Sequence, residues 1–175
     1  MENIVIREAT RQDAKGIATV HVKTWQYAYQ GLMPQENLNS LSIEERMQMW
    51  SEILKTKPPK TQQFVAEFNG SIVGFCAVGT SRDKDANERT GEVYSIYIDS
   101  QLMRKGIGTK LLKKGLGELK SFAFSQATLW VLDTNRSGRN FYEKHGWKTD
   151  GETKTEKRNN FDLRELRYYK DLNDM

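Results

Sequence analysis

The stretch 92-EVYSIYIDSQLMRKGIGTKLLKKGLGELK-120 decides how the whole chain is read. Its first eight residues are rich in β-branched and aromatic side chains, which predicts a strand. Its last part places Leu112, Leu116 and Leu119 at helical spacing, with Leu111 and Gly115 beside them. Between the two lies a basic turn carrying Gly106 and Gly108. A strand, a glycine turn and a helix start together make a device for holding phosphate. The glycines let successive backbone N–H groups point at one anion, and the helix dipole adds positive potential. Arg104 and Lys105 stand beside the turn as further phosphate donors. A dinucleotide fingerprint needs a third glycine where Leu111 stands, and expects the loop after the first strand of the fold. The phosphate-loop signature G-x-x-x-x-G-K-[ST] does not occur. On these residues alone, a tight turn followed by a solvated lysine face stays open as the plainer alternative.

The chain has 175 residues, 29% charged and 37% apolar, which suits one globular domain over residues 1–175. Its apolar runs are too short for a membrane span, and "MENIVIREAT" has no basic segment leading into an apolar one. A single cysteine, Cys76, rules out an intramolecular disulfide and argues against a metal cluster. A cytoplasmic protein without metal, not bound to membrane, is expected. The net charge is +4, and residues 101–120 carry six basic residues against Glu118 alone, so the remainder is close to neutral. Basicity belongs to the glycine turn and its helix, not to a general nucleic-acid surface. No nucleic-acid partner is expected. The rival, nucleic-acid binding through these lysines, lacks aromatic side chains beside them for stacking and predicts steep salt dependence.

Outward from the turn, the pattern predicts a strand over 3–10 and a Thr-x-x-Asp helix start at Thr10. A helix follows with Ala14, Ile17, Ala18, His21 and Trp25 on one face, broken by Gly31 and Pro34. A second helix over 42–54 opens with a Ser-x-x-Glu box. "QFVAEFNGSIVGFCAVGT" predicts two strands joined at Asn69-Gly70, a strong hairpin signal. After the polar loop "SRDKDANERTG" come the strand and helix already described. Then follow a strand over 127–133, a short helix over 139–147 stopped by Gly146, and two late strands, "GETKTEKR" and "FDLRELRYYKDL". The class is mixed α/β.

A second motif, "NRSGRNFYEKHGW" over 135–147, joins the glycine turn. Together these residues resemble the GNAT superfamily, the GCN5-related N-acetyltransferases. Their pattern is [QR]-x-x-G-x-[GA] after the fourth strand, then N-x-x-[AG]-x-x-F-Y-x-x-x-G-[FW]. The second part matches at Asn135, Gly138, Phe141, Tyr142, Gly146 and Trp147. "VHVKTWQYAYQGLMP" and the closing "LRELRYY" are similar to a bacterial, small-molecule-type branch. Met103 departs from the pattern at the [QR] position.

The resemblance implies a central, twisted, mostly antiparallel sheet flanked by helices and splayed between its fourth and fifth strands. It implies acetyl-CoA as co-substrate, with the pyrophosphate on the loop Arg104, Lys105, Gly106, Ile107, Gly108 and Thr109. The pantetheine arm would pair with Ile96, Tyr97 and Ile98 and meet Asn135 from the opposite side. The implied activity is transfer of an acetyl group to a primary amine, on a small molecule or a peptide, in a ternary complex. A non-catalytic acetyl-CoA sensor of the same fold is the alternative. A homodimer stays open.

Acetyl transfer needs a neutral amine, a polarised thioester and a proton for the departing thiolate. An alkylammonium is neutral in roughly one molecule in a few thousand at pH 7, so a general base helps. Glu92 stands fourteen residues before Gly106, the spacing of the catalytic glutamate in the histone-acetyltransferase branch. An ordered water is the alternative base. By the same resemblance Tyr142 is the acid, although packing would also account for it. Trp25, Tyr27 and Tyr29 line the acceptor cleft or pack in the core. His21 is expected to pack, and His145 to place a cation at a helix C-terminus.

Overall fold

The computed structural model describes residues 4–157 and 161–173. Asn3 and Arg158, which the sequence reading includes in the first and sixth strands, lie outside the described residues. The elements run β1 (Ile4–Glu8), α1 (Ala14–Ala28), α2 (Gln35–Asn39), α3 (Ile43–Thr56), β2 (Gln62–Phe68), β3 (Ser71–Thr80) and β4 (Thr90–Ile98). They continue with α4 (Ile107–Ser121), β5 (Gln126–Leu132), α5 (Arg136–Lys144), β6 (Lys148–Lys157) and β7 (Asp162–Asp171). The seven strands form one sheet in the order β1-β2-β3-β4-β5-β7-β6. Only β4 and β5 run parallel, because α4 supplies the crossover between them.

The helices divide between the two faces. Ile17 and Ala18 of α1 and Trp50 and Leu54 of α3 pack on Val65, Phe75 and Ala77. On the opposite face α4 sets Leu111, Leu112, Leu116 and Leu119 against Phe64, Cys76, Val78 and Val93. Alternation along β2 and β3 sends neighbouring residues to these two cores. Gly115 makes the close approach of α4 possible: a Cβ there would meet Val78 Cγ1 at 2.9 Å and Cys76 Sγ at 3.0 Å.

Local signals in the sequence have local consequences. The Ser42 side chain accepts from the Glu45 amide and starts α3. Asn69 and Gly70, at φ +50° and +76°, form the β2–β3 hairpin. The Thr10–Asp13 box is present, with the Thr10 amide donating to Asp13 at 2.7 Å, but it opens a single 3-10 turn before α1. Asp13 also takes two hydrogen bonds from Arg7, at 2.7 and 2.8 Å. Two elements differ from expectation. The segment after Pro34 forms the short helix α2, and α5 spans Arg136–Lys144 rather than 139–147. The Asn135 side chain accepts from the Gly138 amide at 2.9 Å, which pulls the helix start forward.

Candidate active site

The parallel pairing of β4 with β5 stops after three positions, the last being Glu92 opposite Thr128. Beyond it the strands part. On the other side of β4, Ala77 faces Ser95 whereas Val78 faces Val93, so Tyr94 is an extra residue. A bulge of this kind sharpens the local twist and re-aims the strand. The residues from Val93 to Ile98 thus leave one backbone edge without a strand partner. β5 meanwhile follows β7, pairing along all its length from Gln126 to Leu132. The outcome is a wedge-shaped slot through the middle of the sheet.

One end of the slot opens at the glycine turn. Arg104 and Gly106 have φ of +61° and +80°, and Gly106 is the N-cap of α4. Among the described residues, none of the amides from Arg104 to Thr109 donates a hydrogen bond. Arg104, Lys105 and Thr109 are exposed, while the Ile107 side chain is anchored in the core. Unengaged N–H groups at a helix N-terminus, with two basic side chains beside them, form a cradle that fits a diphosphate.

Helix α5 closes the far side. Phe141 lies 3.4 Å from where a Gly108 Cβ would stand, so α5 touches the first turn of α4. His145 fastens this contact. Its Nδ1 lies 2.7 Å from the Phe141 carbonyl, which can only accept, and its Nε2 lies 3.0 Å from Thr109 Oγ1. Lys170 brings a cation to the end of α5, where Lys144 stands in the last turn, and the Lys170 Nζ donates to the His145 carbonyl at 3.0 Å. Asn135 sits at the start of α5, with its oxygen committed to the Gly138 amide.

Tyr142 projects from α5 between Phe141, Trp147 and Tyr168. Burial, then the nearby Tyr97 and Cys76, push its hydroxyl far above the usual tyrosine range, so it keeps its proton. Ile96 and Ile98 face the α4 core, and Tyr97 faces α1. The Tyr97 hydroxyl accepts from Trp25 Nε1 at 2.9 Å. Trp25 and Tyr29 meet edge to face at 4.8 Å beside Leu38, Leu132 and Leu163. They belong to the slot's α1 side, while Tyr27 points away and is 58% exposed. His21 packs, as expected: its Nδ1 accepts from Trp50 Nε1 at 3.2 Å and its ring stacks on Tyr97 at 5.3 Å. Burial, then the Arg46 charge, lower its pKa to about 4.

Glu92 is only 2% exposed, and both of its oxygens are engaged. Arg82 Nη2 meets Oε1 at 2.5 Å, and the Arg82 amide donates to Oε2 at 2.9 Å. Beside this pair lies a groove of about 720 Å³, whose lining includes Arg82, Glu92, Trp130 and Lys154. Several of these groups gave no signal in the sequence. The loop 81–89 reads as a polar linker, yet Asp83 accepts from Trp130 Nε1 at 2.9 Å and Asp85 holds Arg167 at 2.7 and 2.8 Å. Arg167 also donates to Asp150 at 2.8 Å. Except for the Arg167–Asp150 pair, seventeen positions apart, these meetings join residues more than forty positions apart, which no local motif reports. Among the described residues, no group of three or more His, Cys, Asp or Glu side chains is placed to hold a metal ion. No helix there is long and apolar enough to cross a membrane.

Comparisons with known proteins agree with this geometry. The model of the acetyltransferase (GNAT) family matches residues 21–147. The chain is 34% identical over 134 residues to the uncharacterized N-acetyltransferase YuaI of Bacillus subtilis (strain 168), covering 77% of this chain and 75% of that one. The fold is shared with the PaiA N-acetyltransferase of Thermoplasma acidophilum, solved in complex with coenzyme A. That match has a TM-score of 0.72 and 22% identity, and covers 96% of this chain and 98% of the other. It is shared as well with YncA of Salmonella typhimurium, solved with acetyl-CoA, at a TM-score of 0.70 and 18% identity over 97% and 94% of the two chains. A sheet parted at a bulged β4, an open amide cradle before α4 and the family match over both elements lead to one conclusion: the chain belongs to the GNAT family and is an acetyltransferase.

Proposed function

We propose that this protein transfers the acetyl group of acetyl-CoA directly to a primary amine, in a ternary complex, in the cytoplasm. The observation that carries the reading is the cradle of unengaged amides from Arg104 to Thr109 at the mouth of a slot along β4. Residues Arg104 to Thr109 would hold the pyrophosphate. The free edge of β4 around Ile96, Tyr97 and Ile98 would pair with the amide-bearing arm, and Asn135 would face it from α5. Met103 stands where the family pattern has Gln or Arg, which leaves the anion to the backbone amides and the basic pair. Acetyl-CoA supplies an activated acyl group and a leaving thiolate.

The chain's own groups then manage protons and position. Tyr142 Oη retains its proton in its buried setting, which suits it to donate to a departing thiolate. Glu92 is the proposed base. Its engagement by Arg82 keeps the carboxylate in place, and accepting a proton from the amine requires that pair to loosen. Trp25 and Tyr29 would wall the acceptor side of the slot, whereas Tyr27, exposed and turned away, takes no part in it. Juxtaposing the amine and the thioester supplies much of the acceleration.

A thermal-shift titration with acetyl-CoA, with NAD and ATP as controls, tests the reading first. At about 100 times the dissociation constant a ligand adds about 2.7 kcal/mol, roughly 5–10 °C for a chain of this size. A selective shift, followed by thiol release with an amine panel, is the expected result. A shift without thiol release for any amine points instead to the sensor alternative. No shift with acetyl-CoA overturns the proposal.

A further inference from the structure

The face of β5 and β7 opposite α4 carries an ion pair that the acyl-transfer reading does not use. Along β7, Leu163, Glu165 and Arg167 alternate onto one face. Leu163 joins Trp25 and Tyr29 in their cluster, and Arg167 anchors the Asp83–Asp85 loop, so Glu165 lies between the aromatic end of the slot and the groove beside Glu92. Its register partner on β5 is Leu132, and Arg167 stands opposite Trp130.

Lys154 of β6 extends into this place. Its Nζ lies 3.2 Å from Glu165 Oε2 and 4.3 Å from the centre of the Trp130 ring. A carboxylate on one side and an indole face on the other make a receptor for an alkylammonium. The receptor is built, not incidental. Trp130 is held by its hydrogen bond to Asp83. The Glu165 charge also reaches the slot, where it contributes, after burial, to raising the Tyr29 and Tyr97 hydroxyls. Of the neighbouring cations, Arg167 also lies over the Trp130 ring, farther off at 5.7 Å, but it is tied to Asp85 and Asp150, and Arg82 is tied to Glu92; Lys84 lines the same groove. Lys154 is held loosely. Its side chain is 46% exposed on the edge strand, and a pair this open to solvent is weak.

We propose that Glu165 and the face of Trp130 form the subsite for the acceptor's ammonium group, and that Lys154 occupies it until an acceptor displaces it. The lysine side chain then identifies the ligand class, an unbranched alkyl chain ending in a primary ammonium that is not the reacting amine, as in a diamine. The proposal rests on the acyl-transfer reading for the word acceptor, but the site itself can be tested without turnover.

The probe is 1,5-diaminopentane, titrated calorimetrically at low salt into the wild type, Lys154→Met and Glu165→Gln, with pentane-1,5-diol as the neutral control. Lys154→Met should bind the diamine about three- to tenfold more tightly, and Glu165→Gln about tenfold more weakly, while the diol fails to bind. Both substitutions are on exposed or partly exposed strand positions, and unchanged melting curves verify folding. Absence of diamine binding to Lys154→Met, or full affinity in Glu165→Gln, overturns the assignment. Thiol release measured on the same variants separates the two readings. Transfer that proceeds with a KM indifferent to both substitutions sinks the subsite and keeps the transferase. Diamine binding that follows the expected order without thiol release keeps the subsite and sinks the transfer.

Discussion

The Arg82 guanidinium and the Glu92 carboxylate meet at 2.5 Å, one side chain 64% exposed and the other 2%. The loop before β4 thus reaches back to hold the side chain at the point where β4 and β5 part. The same contact presses the Arg82 guanidinium over the Tyr94 ring, 4.3 Å from its centre, at the bulge.

Glu92→Gln should therefore lower kcat by about 10²-fold or more while acetyl-CoA affinity holds, as expected for loss of a general base. The rising limb of the pH–rate profile should flatten. Arg82→Met removes the partner and leaves the carboxylate buried, so it should destabilise by about 1–3 kcal/mol. Steady-state rates across pH, with a denaturation curve for each variant, make the check; an unchanged profile for Glu92→Gln rejects the base role.

Tyr142→Phe keeps the ring among Phe141, Trp147 and Tyr168 and deletes only the hydroxyl. Turnover should fall by about 10²-fold, with melting temperature and acetyl-CoA binding unchanged. Wild-type turnover in this variant would assign Tyr142 to packing.

Gly108→Val places a branched side chain where Phe141 already stands 3.4 Å from the Cβ position. The Cβ itself would sit in ordinary contact, so it is the two γ-methyls beyond it that would push the first turn of α4 from Phe141 and shift the amide cradle. Loss of acetyl-CoA affinity by more than about tenfold is expected, in a protein that still folds. Gly106→Ala tests the turn itself: at φ +80° an alanine costs about 1–2 kcal/mol, readable as a lower melting temperature. Retained affinity in Gly108→Val would remove the loop from the donor site.

His21 links stability to pH. Its folded pKa of about 4 lies below the ordinary value of 6.5, because the packed ring is held neutral. Below pH 6.5 the unfolded chain takes up a proton that the folded chain refuses, so this contribution is complete above pH 6.5 and is lost as pH falls towards 4. The loss amounts to at most about 3 kcal/mol. His21→Gln keeps an acceptor for Trp50 and removes the titration, so its stability should decline less across that window. Asp13, lowered to about 2 chiefly by Arg7, contributes above pH 3.8 and fades only below it, which keeps the two effects apart. Parallel melting curves for wild type and His21→Gln from pH 7 to 4 would refute the His21 assignment.

Much of this protein was written locally. The β-branched and aromatic run of β4, the hairpin at Asn69-Gly70, the Ser42 cap, the leucine face of α4 and the glycine turn are short-range patterns, because strand and helix periods and turn preferences act over a few residues. The glycine turn before α4 and the position of Tyr142 on α5 followed from two such motifs, and so did the family. The tertiary structure alone decided the rest. Nothing around Tyr94 announces a bulge, which exists because β3 and β4 pair out of step around it. Whether Trp25, Tyr27 and Tyr29 face the slot could not be read from helical spacing: the first and third meet across Leu132 and Leu163, strand residues more than a hundred positions away, and the second faces solvent. The engagement of Glu92 by Arg82, and the seat of Lys154 between Glu165 and Trp130, arise where a loop and four strands converge. Local chemistry names the parts of such a site, but only chain-distant packing decides which charges meet.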